Sequence, residues 1–305
     1  MHSENFRGAV FMVFSMALFA VEDALVKLLS QGLPFAQVLA MLGAAGCVSF
    51  ALLLKLRGGV LFTRDLYAPV VMLRNFGEIA GSTAVVAALA LGDLASTTAI
   101  LQAMPLAIVL GAVLFLREPV GWRRGSALIV GFMGVLMVIR PGMAAFQTIS
   151  LLPLLAVVSL AMRDIVTRRL PAHIQSEQVA VGAFASLTLS GVVLMVLLDQ
   201  TPTMPHALQW AGLAGTTVAG VSAYALLVTA TRISEAASVA PYRYSRLLFA
   251  LILAVVIFGE RPDAMTLLGG AVIVASGCYT MLREARLRRR MLREAGLTVP
   301  GPRGP

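Results

Sequence analysis

Nine ionisable side chains fall inside stretches that are otherwise apolar over about the length of a bilayer span. The acids are Glu22, Asp23, Glu78 and Asp164, and the bases are Lys27, Arg74, Arg163, Arg243 and Arg246. A charge at that depth costs roughly 2.5–3.5 kcal/mol on insertion scales. It persists where it pairs internally, faces water or meets a ligand. Arg243 and Arg246 pose the problem most sharply. They lie in the stretch from Glu235 to Glu260, EAASVAPYRYSRLLFALILAVVIFGE. Their spacing of three puts both on one helix face. Tyr242 and Tyr244 flank them, and Pro241 removes a backbone donor just before them. Either this face lines a polar cavity inside a helix bundle, or both arginines only pair with acids on neighbouring helices.

Asp23 and Lys27 are spaced i,i+4, as are Arg74 and Glu78, so each pair can be satisfied within one helix. Glu78 sits near the middle of its stretch. A carboxylate there either carries a proton or serves as a salt-bridge partner. Glu78, Glu22, Asp23, Arg163 and Asp164 form the candidate coupling or charge network. Four acids against five bases leave a modest positive surplus for an anionic or electron-rich ligand. Asn75, Ser82, Thr83, Gln102 and Tyr224 supply uncharged polar groups at similar depth. The candidate substrate-binding set is Arg243, Arg246, Tyr242, Tyr244, Gln102, Arg74, Asn75 and Tyr224. The aromatic members could stack on a planar group.

Catalytic motifs are not found. The sequence has no GxxxxGK[ST] phosphate loop, no metal-ligand spacing and no GxSxG. His2, His173 and His206 fall at the terminus and in expected loops, and Cys47 and Cys278 lie in apolar helices as small core residues. The expectation is therefore no enzyme, no cofactor and no metal. Without a nucleotide site the driving force is a gradient, either of the substrate or of a coupled proton or exchanged substrate.

These side chains need membrane helices to position them. The chain is 59% hydrophobic and 13% charged, with a mean hydropathy of +0.88. Soluble domains carry about 25% charged residues. Ten stretches approach the spanning length, near 8–29, 34–55, 68–90, 94–116, 123–140, 150–169, 178–198, 207–229, 235–258 and 264–283. Arg7 followed by GAVFMVFSMALFA imitates a signal peptide, but the stretch continues through VEDALVK and reads as a mature helix. Short links such as QGLPF and GDLAS imply antiparallel neighbours. The net charge of +9 is concentrated in alternate loops and in the tail, so it signals topology and not nucleic acid. Lys55, Arg57, Arg64, Arg117, Arg123, Arg124, Arg168, Arg169 and Arg232 mark one side. Lys27, Arg140 and Arg261 are the few on the other. Both termini are then cytoplasmic in an inner or plasma membrane. The basic tail, 284–305, either touches anionic lipid or anchors the last helix.

Sliding the chain by about 141 residues superposes its halves. Ala20–Asp23 (AVED) meets Ala161–Asp164 (AMRD), and Gln37-Val38 meets Gln178-Val179. One residue out of phase, Ala95-Ser96 meets Ala237-Ser238, Ala112-Val113 meets Ala254-Val255, and Glu118 meets Glu260. The expected fold is all-α and integral to the membrane, with ten transmembrane helices in two inverted five-helix repeats, 8–140 and 150–283. Five crossings per repeat force the inversion, which is the pattern of secondary transporters with a midplane site.

The paired stretches LQAMPLAIVLGAVLFLREPVGWRRGSALIVGFMGVLMVIRPG and APYRYSRLLFALILAVVIFGERPDAMTLLGGAVIVASG resemble the drug/metabolite transporter superfamily, in its ten-helix EamA-like type. Each is a helix, a closing Glu, a short turn and a Gly-rich helix. The resemblance covers about residues 8–283. It implies a central cavity and a small organic substrate such as an amino acid, riboflavin or S-adenosylmethionine. The first helix reads AVEDALVK where many relatives have a Trp-Gly stretch. Gly43, Gly46, Gly125, Gly131, Gly134, Gly269, Gly270 and Gly277 serve either intramolecular packing or a homodimer face. The leading functional expectation is a secondary transporter. The alternative is a non-transporting membrane scaffold or lipid scramblase built on the same helices.

Overall fold

Backbone amides in hydrocarbon must be satisfied within the protein, and helices satisfy them locally. The structure is a computed structural model that describes residues 2–60, 67–116, 122–143, 146–167, 169–170, 174, 176–233 and 240–294. Glu118, Ala237 and Ser238 of the repeat lie outside the described residues. So do Arg64, Arg117, Arg168, His173, Glu235 and the tail from 295. Eleven α-helices are described: α1 (His2–Gly32), α2 (Phe35–Leu56), α3 (Pro69–Leu91), α4 (Leu94–Leu101), α5 (Met104–Leu116), α6 (Trp122–Ile139), α7 (Leu151–Thr167), α8 (Ser176–Leu197), α9 (Ala207–Ile233), α10 (Ser245–Phe258) and α11 (Ala264–Glu294). Short 3₁₀ segments, Thr148–Ser150 and Ala240–Tyr244, lead into α7 and α10.

Eight helical stretches among the described residues are long and apolar enough to cross a membrane. The protein is thus an all-α, multi-pass membrane protein. Two expected spans fall short of that criterion. In α3 the apolar run is interrupted by Arg74, Asn75 and Glu78, and the apolar part of α6 covers only Gly125–Ile139.

Four expected boundaries move. The stretch 94–116 is not one helix but α4 and α5, broken at Gln102–Ala103. Pro105 explains this, because its ring would clash with the carbonyl of Leu101 in a continuous α-helix. The stretch 235–258 enters through the 3₁₀ turn that contains Pro241. The first helix begins at His2 instead of residue 8, and the last continues past residue 283 to Glu294. Its basic extension LREARLRRRMLRE is rich in good helix formers.

The helices pack in long pairs: α1 along α9, α2 along α8, α3 along α7 and α6 along α11. Glycine allows the last pair its close approach. A Cβ on Gly134 would lie 2.9 Å from the Gly269 carbonyl oxygen, and one on Gly269 2.7 Å from that of Gly134. On α2, a Cβ at Gly43 would meet the Thr188 backbone nitrogen of α8 at 2.5 Å. These glycines serve contacts within the chain.

One end of the bundle is tied shut. Gly259, at φ +63°, ends α10 in the left-handed conformation and delivers Glu260 to the start of α4. There the carboxylate accepts the Leu94 and Ala95 amides at 2.8 and 3.0 Å, which suits a helix N-terminus. It also pairs with Lys27 at 3.1 Å. Lys27 donates to the Gly92 carbonyl and lies 5.2 Å from the Phe258 ring centroid. Beside this junction, Gln37 donates to the Thr203 carbonyl at 2.6 Å and accepts its amide at 2.9 Å. Arg140 pairs with Asp263, whose carboxyl is held below its usual range by that guanidinium and by the Thr266 amide. A large apolar cluster that includes Leu29, Leu33, Leu39, Leu89 and Leu94 fills the same end.

Replacing Gly134 with Val should force α6 and α11 apart and cost roughly 1–3 kcal/mol of stability. Gly215→Ala, whose nearest new contact would be at 3.5 Å, should change little. Thermal unfolding of both variants in detergent checks the contrast.

Candidate functional site

Most of the intramembrane charges neutralise one another across helices. Arg246 on α10 grips Asp23 on α1 with its planar fork: Nε donates to Oδ2 at 3.0 Å, and the Nη2 group to Oδ1 and Oδ2 at 2.7 Å. Phe19 lies under the guanidinium, 5.2 Å from its ring centroid. The i,i+4 pairing of Asp23 with Lys27 does not form. A guanidinium matches a carboxylate with two bonds, whereas an ammonium binds as a point charge, and Lys27 goes to Glu260.

A second cluster joins α3 to α7. Glu78 pairs with Arg74 at 2.7 Å, as its spacing predicts, and with Arg163 at 2.9 Å. The Ser82 hydroxyl donates to it at 3.1 Å. Arg163 also pairs with Asp164 at 2.7 Å, and Arg74 donates to the Asn75 side-chain oxygen at 3.2 Å. Gly77 lets the helices meet, since a Cβ there would lie 3.0 Å from the Ser159 carbonyl oxygen.

Two charges are left over. Arg243, in the 3₁₀ segment that touches α1, is exposed and has no ion pair or hydrogen bond among the described residues. Asp164 is the acid whose field reaches it. Glu22, beside Asp23, likewise has no ion pair or hydrogen bond among the described residues. Its carboxylate rests on α9 against Gly220, where a Cβ would lie 2.8 Å from Oε1.

The uncharged candidates separate. Tyr242 and Tyr224 stay open, at 45% and 47% exposure. Tyr224 meets Phe50 edge-on at 6.2 Å, and Phe50 stacks on Phe184 at 5.5 Å. Tyr244 is buried against Gly277, and its hydroxyl has no partner among the described residues. Gln102 is buried at the α4–α5 break with its amide nitrogen unpartnered. Asn75 is buried beside Arg74. The structure therefore brings Arg246 and Asp23 together, and Arg74, Asn75, Glu78, Arg163 and Asp164. It leaves Arg243, Tyr242, Tyr224 and Glu22 free for other contacts. Sequence reasoning missed Gly220 as the seat of Glu22 and missed the Phe50–Phe184 stack under Tyr224. A pairing of helices that are distant in sequence was needed to find either.

Residues 147–282 match the EamA-like transporter family. The protein belongs to the drug/metabolite transporter superfamily. Among curated proteins of this superfamily, the S-adenosylmethionine uptake transporter of Rickettsia felis is 29% identical over 187 residues. That match covers 61% of this chain and 63% of the relative, so it spans less than two thirds of that protein. The riboflavin transporter of Rhizobium johnstonii is 28% identical over 288 residues, 93% of each chain. The pseudopaline exporter of Pseudomonas aeruginosa is 26% identical over 281 residues, 92% of this chain and 97% of its own. A solved crystal structure, 19% identical, superposes with a TM-score of 0.58 over 92% of this chain and 98% of the other, a likeness of fold alone.

Asp23→Asn should leave Arg246 inside the membrane without its carboxylate and cost about 3–5 kcal/mol. Adding Arg246→Gln should recover part of that loss. A double-mutant cycle on thermal unfolding measures the coupling, and additive losses would mean that the pair does not hold α1 to α10.

Proposed function

We propose that the protein is a non-enzymatic secondary transporter of a small organic metabolite, and that Arg243 holds an anionic group of the substrate. One observation carries this reading: Arg243 is an exposed arginine in a bilayer-length apolar stretch, and every acid within reach is engaged elsewhere. Its companion Arg246 is consumed by Asp23 and belongs to the scaffold. Tyr242 and Tyr224 are the open aromatic surfaces for a planar part of the substrate. Glu78, held by two guanidiniums and a hydroxyl, acts as an ion-pair partner. The named substrates of the relatives, S-adenosylmethionine, riboflavin and pseudopaline, are small organic molecules, which favours the same breadth here.

Ten crossings in two inverted repeats, 8–140 and 150–283, are the topology that suits this mechanism. The packing supports it. An offset of about 141 residues exchanges the α1–α9 pair with the α7–α3 pair and maps α2–α8 and α6–α11 onto themselves. Gln37 anchors the α8–α9 loop at one end, and its counterpart Gln178 donates to the Val60 carbonyl in the α2–α3 loop at 2.6 Å at the other. The charge of the loops favours cytoplasmic termini in the inner membrane. The end closed by Lys27 and Glu260 is then external, and the site opens inward. A gradient of substrate or of a coupled ion drives alternation about it.

Purified protein in liposomes should exchange labelled riboflavin, S-adenosylmethionine or an amino acid. Arg243→Ala should weaken binding roughly tenfold to over a hundredfold, the equivalent of about 1.5–3 kcal/mol for a charge-assisted contact. Its detergent-stable yield should stay near normal. Arg243→Lys should recover only part, because the fork is lost. Normal transport by Arg243→Ala would move the site elsewhere. Cytoplasmic reporters fused after Arg124 or Arg283 should be active and one at Asp199 silent. An external signal at Arg283 would overturn the topology.

A further inference from the structure

We propose that Glu22 is the second pole of the site, so that the substrate is a zwitterion whose ammonium or sulfonium meets Glu22 while its carboxylate meets Arg243. This rests on the reading of Arg243 above and names the substrate class.

The charge count leads there. Setting aside the Lys27–Glu260 pair at the closed end, the interior holds four acids and four arginines, namely Glu22, Asp23, Glu78 and Asp164 with Arg74, Arg163, Arg243 and Arg246. Asp23 is spent on Arg246, and Glu78 and Asp164 share Arg74 and Arg163. One carboxylate and one guanidinium remain, Glu22 and Arg243. They flank the same ion pair: Glu22 precedes Asp23 on α1, and Arg243 precedes Arg246 by about one turn. The Asp23–Arg246 pair stands between them as a fixed spacer and supplies neither with a full partner. An anionic substrate would satisfy Arg243 and leave Glu22 bare in the membrane interior. A neutral flavin would leave both bare. A zwitterion compensates both poles and adds no net charge to the site.

The repeat shows how the space arises. An offset of 141 sets Glu22 opposite Arg163, and one of 142 sets Gly220 opposite Glu78. Across α3 and α7, Glu78 and Arg163 fill the helix interface with an ion pair. Across α9 and α1, the corresponding positions are a glycine and a carboxylate. The acid is present there and its protein counter-charge has been removed, so the counter-charge must come with the ligand.

The test is binding to purified protein in nanodiscs with matched ligands that differ only in the amino group: methionine against 4-(methylthio)butanoate, and tryptophan against indole-3-propionate. S-adenosylmethionine and riboflavin complete the panel. The wild type should bind at least one zwitterion at least tenfold more tightly than its deaminated partner. Glu22→Gln should abolish that preference while leaving the weaker carboxylate binding intact. Glu22→Asp, which keeps the charge, should retain most of the preference and guards against a mere folding defect. Equal binding of both members of a pair, still lost in Arg243→Ala, would overturn the role of Glu22 and leave the Arg243 reading standing. Binding of riboflavin without any zwitterion would do the same. Zwitterion binding indifferent to Arg243→Ala, or no binding by any carboxylate of the panel, would remove both.

Discussion

A charge buried among lipid-facing helices has to be answered, and the bidentate pair of Arg246 with Asp23 is the answer on which the interior depends. It joins α1 to α10, two helices more than two hundred residues apart in the chain. It also sets the accounts of every neighbouring charge. With Asp23 taken, Lys27 turns to Glu260 and helps to seal one end of the bundle. With Arg246 taken, Arg243 is the arginine of that segment still free to act on something else. A buried pair of this kind contributes little net stability against an apolar alternative, but breaking it is costly. Its value here is positional: it holds two unpaired groups apart at a defined place.

The helix breaks fall where this placement needs them. Gln102–Ala103 interrupts the α4–α5 segment, and Ala240–Tyr244 adopts 3₁₀ geometry before α10. Each break is accompanied by a proline that cannot continue an α-helical ladder, Pro105 and Pro241. Irregular backbone at membrane depth is tolerated only where it is buried in protein or lines a cavity. Discontinuous helices at corresponding places of two halves point to a substrate site in transporters. The buried Gln102 amide and Tyr244 hydroxyl, both unpartnered among the described residues, mark these breaks.

The two ends of the molecule contrast in how they are held. At the end of the α3–α4 turn, Glu260 satisfies two helix-terminal amides and an ammonium at once, with leucines packed beneath. At the opposite end, the ties among the described residues are an exposed Arg57–Glu177 pair and the bond from Gln178 to Val60. A transporter that alternates must exchange such an arrangement for its opposite. Relatives that import and relatives that export share this superfamily, so direction belongs to the gradient and the bound solute and not to the architecture.

Much of this was legible in the residues alone. Apolar runs of spanning length declared a helical membrane protein, because hydrocarbon admits no other use for them. The i,i+4 spacing of Arg74 and Glu78 foretold their bond, because one helix turn settles it without tertiary help. Matching stretches 141 residues apart suggested two related halves. Local spacing misled for Asp23 and Lys27, since each found a partner on a helix that the sequence does not place beside it. It could not rank Arg243 against Arg246, which share a face, a depth and a chemistry. Nor could it show Glu22 set against the bare backbone of Gly220. Intramembrane charges choose partners by geometry within a few ångströms, and only the packing of α1 against α9 and α10 decided which were consumed and which were left over.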